Sequence, residues 1–321
     1  MSTNFKNLYT SNNPPIEAIL MRGSNVESIH KVHAVVSDKK GRVLMCAGNP
    51  EHKSFIRSAL KPFQAIPFVS SGASSKISNS SKSIALSCGS HSGSKLHVRE
   101  AFKILWEYDI DVNNLKCPIK INSPLEHNCS GKHAAFLATC RKLNWPMENY
   151  LKGDHPLQIE IFRIISELLE ISESDIHAER DDCGAPTIYL KILEMAKLYS
   201  LLSSSDSAEL EQISRAMTSN PVMVSDNNKF DTEIIKESHG QVISKGGAEG
   251  IQCLCKINEG IGLALKVEDG SKRAKHAVSL HLLKQLEWMS DLRLQDIEDK
   301  IFNFPEGVQM DVKGELKFQE S

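Results

Sequence analysis

HKVHAVVSDKKGRVLMCAG, residues 30 to 48, decides how the rest of the chain is read. Val32 to Val36 and Val43 to Cys46 are short β-prone runs, with the charged turn Asp38-Lys39-Lys40-Gly41 between them. Apolar run, turn residues, apolar run: the order predicts a β-hairpin. The strand signal returns only far downstream, in GQVISKGG, GIQCLCKI and GLALKVEDG from residue 240 onward, each an apolar burst bounded by glycine. Between the two lie SKLHVREAFKILWEY (94 to 108), HPLQIEIFRIISELLEI (155 to 171) and TIYLKILEMAKLYSLL (187 to 202). Their apolar residues recur three and four apart, the period of a helix with one buried face. Pro156 falls near a first turn, where its missing N–H costs little. RAKHAVSLHLLKQLEWM, 273 to 289, predicts another amphipathic helix. Strands at both ends and helices between them predict a sheet assembled from both ends of the chain. The expected fold is an α/β (α+β) sandwich: a central sheet flanked by helices, with a helical insert over about 94 to 235. No internal repeat or linker interrupts it, so one domain over 1 to 321 is expected.

The chain has 321 residues, 24% of them charged, with a formal net charge of -2. That balance gives no electrostatic reason to expect a nucleic-acid partner or an anionic membrane surface. No run of eighteen apolar residues exists, so no membrane span is expected. MSTNFKNLYTSNNPP, at the start, has no apolar core behind a basic end and does not read as a secretory signal. Eight cysteines permit four disulfides by count, but without an export signal a reducing cytoplasm and free thiols are expected. SSGASSKISNSSKS, 70 to 83, reads as a surface loop.

Four stretches hold more reactive side chains than packing requires. RSALKPFQAI, 57 to 66, places Ser58 and Lys61 three apart. A helix brings such a pair onto one face, so the spacing suits either a plain helix or a serine beside its own base. Serine needs an adjacent base, and lysine serves only when its amine is neutral. Pro62 makes the start of this helix irregular. ALSCGSHSG, 85 to 93, reads as a short strand running into a turn that carries Ser90. EHNCSGKHAAFLATC, 126 to 140, puts Cys129, Lys132 and His133 at a helix start, where the helix dipole acidifies a thiol. RDDCGAPTIYL, 180 to 190, adds Asp181, Asp182 and Cys183 before a further helix. Cys129 and Cys183 with Asp or His neighbours suit a zinc-type site, although their spacing matches no C-x-x-C signature. Cys253 and Cys255 are expected to face opposite ways from a strand and to serve packing.

Taken in order, RSALKPFQA, LSCGSHSG, HNCSGKHAAF, DDCGAPT, KFDT and KGGAEG resemble the asparaginase II family of Rhizobium-type L-asparaginases. The resemblance implies a fold similar to serine β-lactamases and glutaminases, with a central antiparallel sheet and S-x-x-K opening a helix. It implies Ser58 as nucleophile on the side-chain amide of L-asparagine, Lys61 as its base, and Ser90 paired with Lys245 of SKGGAEG. It implies a zinc ion on Cys129, Lys132 and Cys183, with Asp181 close by. Arg57, His133 and Asp181 are then substrate contacts, and a cytoplasmic homodimer is expected. Two departures stand out: Ser94 where the family commonly has Glu, and Asp182 where it commonly has Gly. Glutaminase or another Ser–Lys amidohydrolase is the alternative in the same chemistry. A catalytically dead metal- or redox-binding protein on this scaffold is the alternative from a different class.

Overall fold

The computed structural model describes residues 13–204 and 206–319. Most of the N-terminal stretch read against a secretory signal lies outside the described residues. Strands β1 (Ile16–Arg22), β2 (Asn25–Asp38) and β3 (Val43–Ala47) come from the front. β4 (Lys53–Phe55), β5 (Ala178–Arg180) and β6 (Pro186–Lys191) make a small separate sheet in the order β4-β6-β5. β7 (Val242–Gly246), β8 (Ile251–Lys256), β9 (Ile261–Val267), β10 (Val308–Lys313) and β11 (Lys317–Phe318) come from the back.

The main sheet runs β10-β1-β2-β9-β8-β7, with β3 pairing β2 and β11 pairing β3. Every pairing in it is antiparallel. The fold is therefore the expected mixed one, an antiparallel sheet built from both ends of the chain. β2 is its hinge-pin. Val32 lies opposite Ile16 of β1 on one side and opposite Val267 of β9 on the other. The hairpin exists as predicted, with Val35 opposite Cys46 and Ser37 opposite Val43.

Helices fill both faces. The helical insert begins with α1 (Lys61–Gln64), α2 (Ile66–Ser70), α3 (Ser80–Ser87), α4 (Lys95–Glu107), α5 (Ser130–Leu143) and α6 (Pro156–Leu169). α7 (Ile192–Ser203), α8 (Ala208–Ser219), α9 (Pro221–Val224) and α10 (Phe230–Glu237) follow, and α11 (Lys272–Gln285) and α12 (Asp291–Ile301) close the chain. Strand alternation divides the apolar residues between two cores. Val35, Cys253 and Cys255 join Met195, Leu198 and Tyr199 of α7 on one face. Val32, Ala34, Val36 and Leu254 join Ala274, Val278 and Leu282 of α11 on the other.

Three local expectations are corrected. The apolar run in ALSCGSHSG is not a strand but the end of α3. Ile84, Ala85 and Leu86 are all fully buried, because this helix is surrounded by other helices, so its apolar run shows no one-sided period. TIYLKILEMAKLYSLL is split: residues through Lys191 form β6, and the helix starts only at Ile192. Thr187, Ile188 and Tyr189 are β-branched or aromatic and pair in a sheet. Cys253 and Cys255 share a face, as residues two apart in a strand must, and both enter the same core.

Close packing of α7 on β9 depends on Gly262, where a Cβ would stand 2.1 Å from the Ala196 carbonyl oxygen and 2.5 Å from the Ser200 nitrogen. Gly262→Ala is expected to destabilise the fold by about 3 kcal/mol. Urea unfolding checks this, and an unchanged midpoint would refute the packing.

Candidate active site

The small sheet sets the first part of the site. Ile56 N–H donates to the Ile188 carbonyl of β6 (3.0 Å), and Arg57 N–H donates to Thr187 Oγ1 (3.0 Å). Arg57 itself has φ of +54°, a left-handed backbone that side-chain-bearing residues rarely adopt. Its guanidinium is braced by Asp181 at 2.8 Å and Asp182 at 2.7 Å. The Asp181 side chain is 9% exposed and that of Asp182 is 89% exposed, so the first pairing carries the energy. The family departure at position 182 thus adds a weak surface contact to Arg57.

From Arg57 the chain winds a 3-10 turn through Leu60 and passes into α1 at Lys61. Pro62 lies in the first turn of α1, where no intrahelical N–H bond is lost. The Ser58 side chain makes no hydrogen bond among the described residues, to Lys61 or to any other group. The Lys61 amine points elsewhere. It donates to the Gly89 carbonyl at 2.5 Å, Ser90 Oγ at 3.0 Å and the Asn128 carbonyl at 3.4 Å. Three oxygen acceptors match the three N–H bonds of an ammonium.

Ser90 follows α3 across the tight link Cys88-Gly89. A Cβ on Gly89 would stand 2.4 Å from the Met223 carbonyl oxygen and 3.0 Å from that of Val224. This close approach lets Ser90 N–H donate to Val224 O at 2.8 Å. From the other side Lys245 of β7 reaches Ser90 Oγ at 2.9 Å and the Gly246 carbonyl at 2.7 Å. One serine oxygen therefore lies between two buried amines from opposite ends of the chain. Burial pushes the Lys245 amine down to about 8, with Lys61 and Lys275 adding like-charge repulsion against the pull of Asp231. Ser58, Ser90, Asn128 and Lys245 line one cavity of about 800 Å³.

Arg57, His133 and Asp181 are not among the residues lining that cavity. Cys129 precedes α5, and Lys132 and His133 lie in its first turn, as the sequence suggests. Lys132 Nζ donates to Cys183 Sγ at 3.3 Å. Cys183 is held low, first by a hydrogen bond from the Cys129 thiol and then by the Lys132 charge against the cost of burial. The same hydrogen bond, together with burial, drives Cys129 up. His133 is fully buried and joins Tyr150 Oη through Nδ1 at 2.7 Å; burial holds its pKa down, against a hydrogen bond with Cys183. The two sulfurs and the Lys132 amine are donor types that zinc accepts. Among the described residues no three His, Cys, Asp or Glu side chains gather as a metal site, so Lys132 would be an obligatory ligand.

The other departure, Ser94, bonds His97 Nδ1 at 2.7 Å, and His97 Nε2 meets the Val222 carbonyl at 2.9 Å. It therefore braces the segment behind Ser90. Sequence reading assigned no role to Asp231, Gln252 or Lys275, which also line the cavity. KFDT contains Asp231 and marked the place without a chemistry. Lys275 sits inside an ordinary amphipathic helix, and no local signal distinguishes it.

The profile of a family described as L-asparaginase II matches residues 18–318. No curated protein matches the chain. Among solved structures the chain is similar to Mglu in its native form in 4.3 M NaCl, at 12% identity and a TM-score of 0.47. That match covers 82% of this chain and 61% of the other. It is similar also to a β-lactamase from Mycobacterium bovis, at 12% identity and a TM-score of 0.44, covering 81% of this chain and 95% of that one. The family profile spans nearly the whole sequence, and the chain belongs to the L-asparaginase II family, a group of amidohydrolases.

Gly89→Ala is expected to push the 223–224 backbone away, break the bond from Ser90 N–H, and cost about 2 kcal/mol. Thermal unfolding beside Gly153→Ala, where an added Cβ would meet only Phe162 at 4.0 Å and the backbone is not left-handed, checks this. Equal losses in the two variants would show that the close approach does not matter.

Proposed function

We propose that this member of the L-asparaginase II family hydrolyses the side-chain amide of L-asparagine to L-aspartate and ammonia. The observation that carries the reading is Ser90 Oγ, held by Lys61 and Lys245 on a cavity wall that also bears the unbonded Ser58. A hydroxyl saturated by two amines is well placed to pass a proton. The free Ser58 hydroxyl on the same cavity wall has its lone pairs open to a carbonyl carbon.

In this reading Ser58 attacks the amide carbon and Ser90 accepts its proton while passing its own to neutral Lys245. The same proton returns to the departing nitrogen, and ammonia leaves. Water then attacks the ester on Ser58 by the reverse relay, releasing aspartate. Lys61, with its three oxygen acceptors, stays a donor and orients Ser90. Arg57, clamped by Asp181, holds the turn that presents Ser58. Zinc, when bound, would be held by Cys129, Lys132 and Cys183 and would supply Lewis-acid polarisation of a substrate oxygen.

All eight cysteines are free thiols, which supports a cytoplasmic setting; the homodimer rests on the family resemblance alone. Among the described residues no helix is long and apolar enough to cross a membrane. The cavity, at about 800 Å³, opens to solvent, and glutamine is the second substrate to test in it. One methylene rarely discriminates by more than about a hundredfold.

Ammonia release from asparagine and glutamine by the purified protein tests the proposal, and no release from either would end it. Ser58→Ala is expected to lose about a thousandfold or more in kcat, and Ser90→Ala about a hundredfold. Mass spectrometry of a quenched reaction should find the acyl adduct on the Ser58 peptide; an adduct on Ser90 would exchange their roles. Because Lys245 must be neutral, kcat/KM should rise with pH through about 8. Elemental analysis should show about one zinc per chain, lost in Cys129→Ser and weakened at acid pH as Lys132 and the thiols gain protons. Zinc retained in a Cys129/Cys183 double variant would refute that site.

A further inference from the structure

Phe230-Asp231-Thr232, the body of the KFDT motif and the first turn of α10, touches three different elements through three consecutive side chains. The Phe230 ring stacks on His276 of α11, with centroids 4.2 Å apart and planes 1° from parallel. The Asp231 carboxylate, itself buried, accepts from Ser244 Oγ (2.7 Å) on β7, Gln252 Nε2 (2.8 Å) on β8 and Gly246 N–H (3.0 Å). Ser244 and Gly246 flank Lys245, whose amine lies 3.9 Å from Asp231 Oδ2. Thr232 Oγ1 donates to the Pro221 carbonyl (2.9 Å) and accepts from Asp226 N–H (3.2 Å). The segment between those two residues includes Val224, whose carbonyl receives Ser90 N–H. Asp226 also accepts a hydrogen bond from Ser92 Oγ, two residues beyond Ser90.

Asp231 thus fixes the strand that carries Lys245, and Thr232 fixes the loop that seats Ser90. We propose that this turn is a positioning clamp that sets the separation of Ser90 from Lys245, with Asp231 and Thr232 as its two jaws. Both are positioning residues, acting through Lys245 and Ser90. The inference rests on the amidohydrolase reading for its consequence in turnover, but not for its geometry.

Lys245 is faced by Asp231 of α10, Lys61 of α1, Lys275 of α11 and Cys129 before α5. Cys88, after α3, and Cys253 of β8 also lie within its electrostatic reach. Of these, Asp231 is the carboxylate, and its charge favours the protonated amine. Removing that charge must lower the pH at which Lys245 titrates; loosened packing alone has no such sign.

The test is NMR titration of lysine-labelled protein, with the Lys245 signal identified by its absence from Lys245→Ala. In Asp231→Asn, which preserves shape, the Lys245 midpoint is expected about one unit or more below its wild-type value. The acid limb of kcat/KM is expected to move the same way. An unchanged midpoint would overturn the role of Asp231, whatever happens to activity. For the other jaw, Thr232→Val is expected to lose about a hundredfold in kcat with KM little changed, while Thr232→Ser retains most activity. Full activity in Thr232→Val, or equal losses in Val and Ser variants, would overturn it. If the wild type hydrolyses no amide, the functional reading falls, while the titration still decides the clamp.

Discussion

Two lysine amines buried in one protein interior constrain everything around them. A buried ammonium without partners costs several kcal/mol, and a second one nearby adds repulsion. The chain meets the cost with main-chain carbonyls. Gly89 and Asn128 accept from Lys61, and Gly246 accepts from Lys245. Those carbonyls come from the links following α3, preceding α5 and ending β7, so the amines fix the relative placement of three elements. Asp231 supplies the one compensating carboxylate beneath Lys245. Burial first, and then repulsion from Lys61 and Lys275 against the pull of Asp231, holds the Lys245 amine down to about 8.

Much of this was legible in the residues. Hairpin, late strands and helix periods followed from patterns of two and of three to four, because one face of each element is buried and the other is not. Those rules failed where that asymmetry is absent. The last five residues of α3 are all buried, so Ile84, Ala85 and Leu86 read as a strand. β6 runs straight into α7 without a break, so one period concealed two elements.

The site was legible in a different way. Ser58, Lys61, Ser90, Lys245, Cys129, Lys132 and Cys183 were all named from motifs, and the fold gathers them into two adjoining groups. Their pairing was not legible. An i, i+3 spacing places Ser58 beside Lys61, yet Lys61 turns to oxygen acceptors that lie distant in sequence and are visible only once the chain is folded. Lys275 is the clearest omission. It looks like a solvent-facing residue of α11, but its amine bonds the Gly247 carbonyl inside the cavity wall. Helical position alone does not reveal which polar residue has been drawn inward.

The central place of β2 has a further consequence, for synthesis. Its partner β9 reaches Val267 opposite Val32, so the edge of β2 that will meet β9 has no native partner until most of the chain has been made. An exposed β edge rich in valine is a template for the wrong neighbour. Contacts so distant along the chain also form slowly. The nascent chain therefore carries Ser58, Lys61 and Ser90 for nearly half of its translation without Lys245. A chain terminated before Lys245 holds both serines without the second amine that meets Ser90 Oγ.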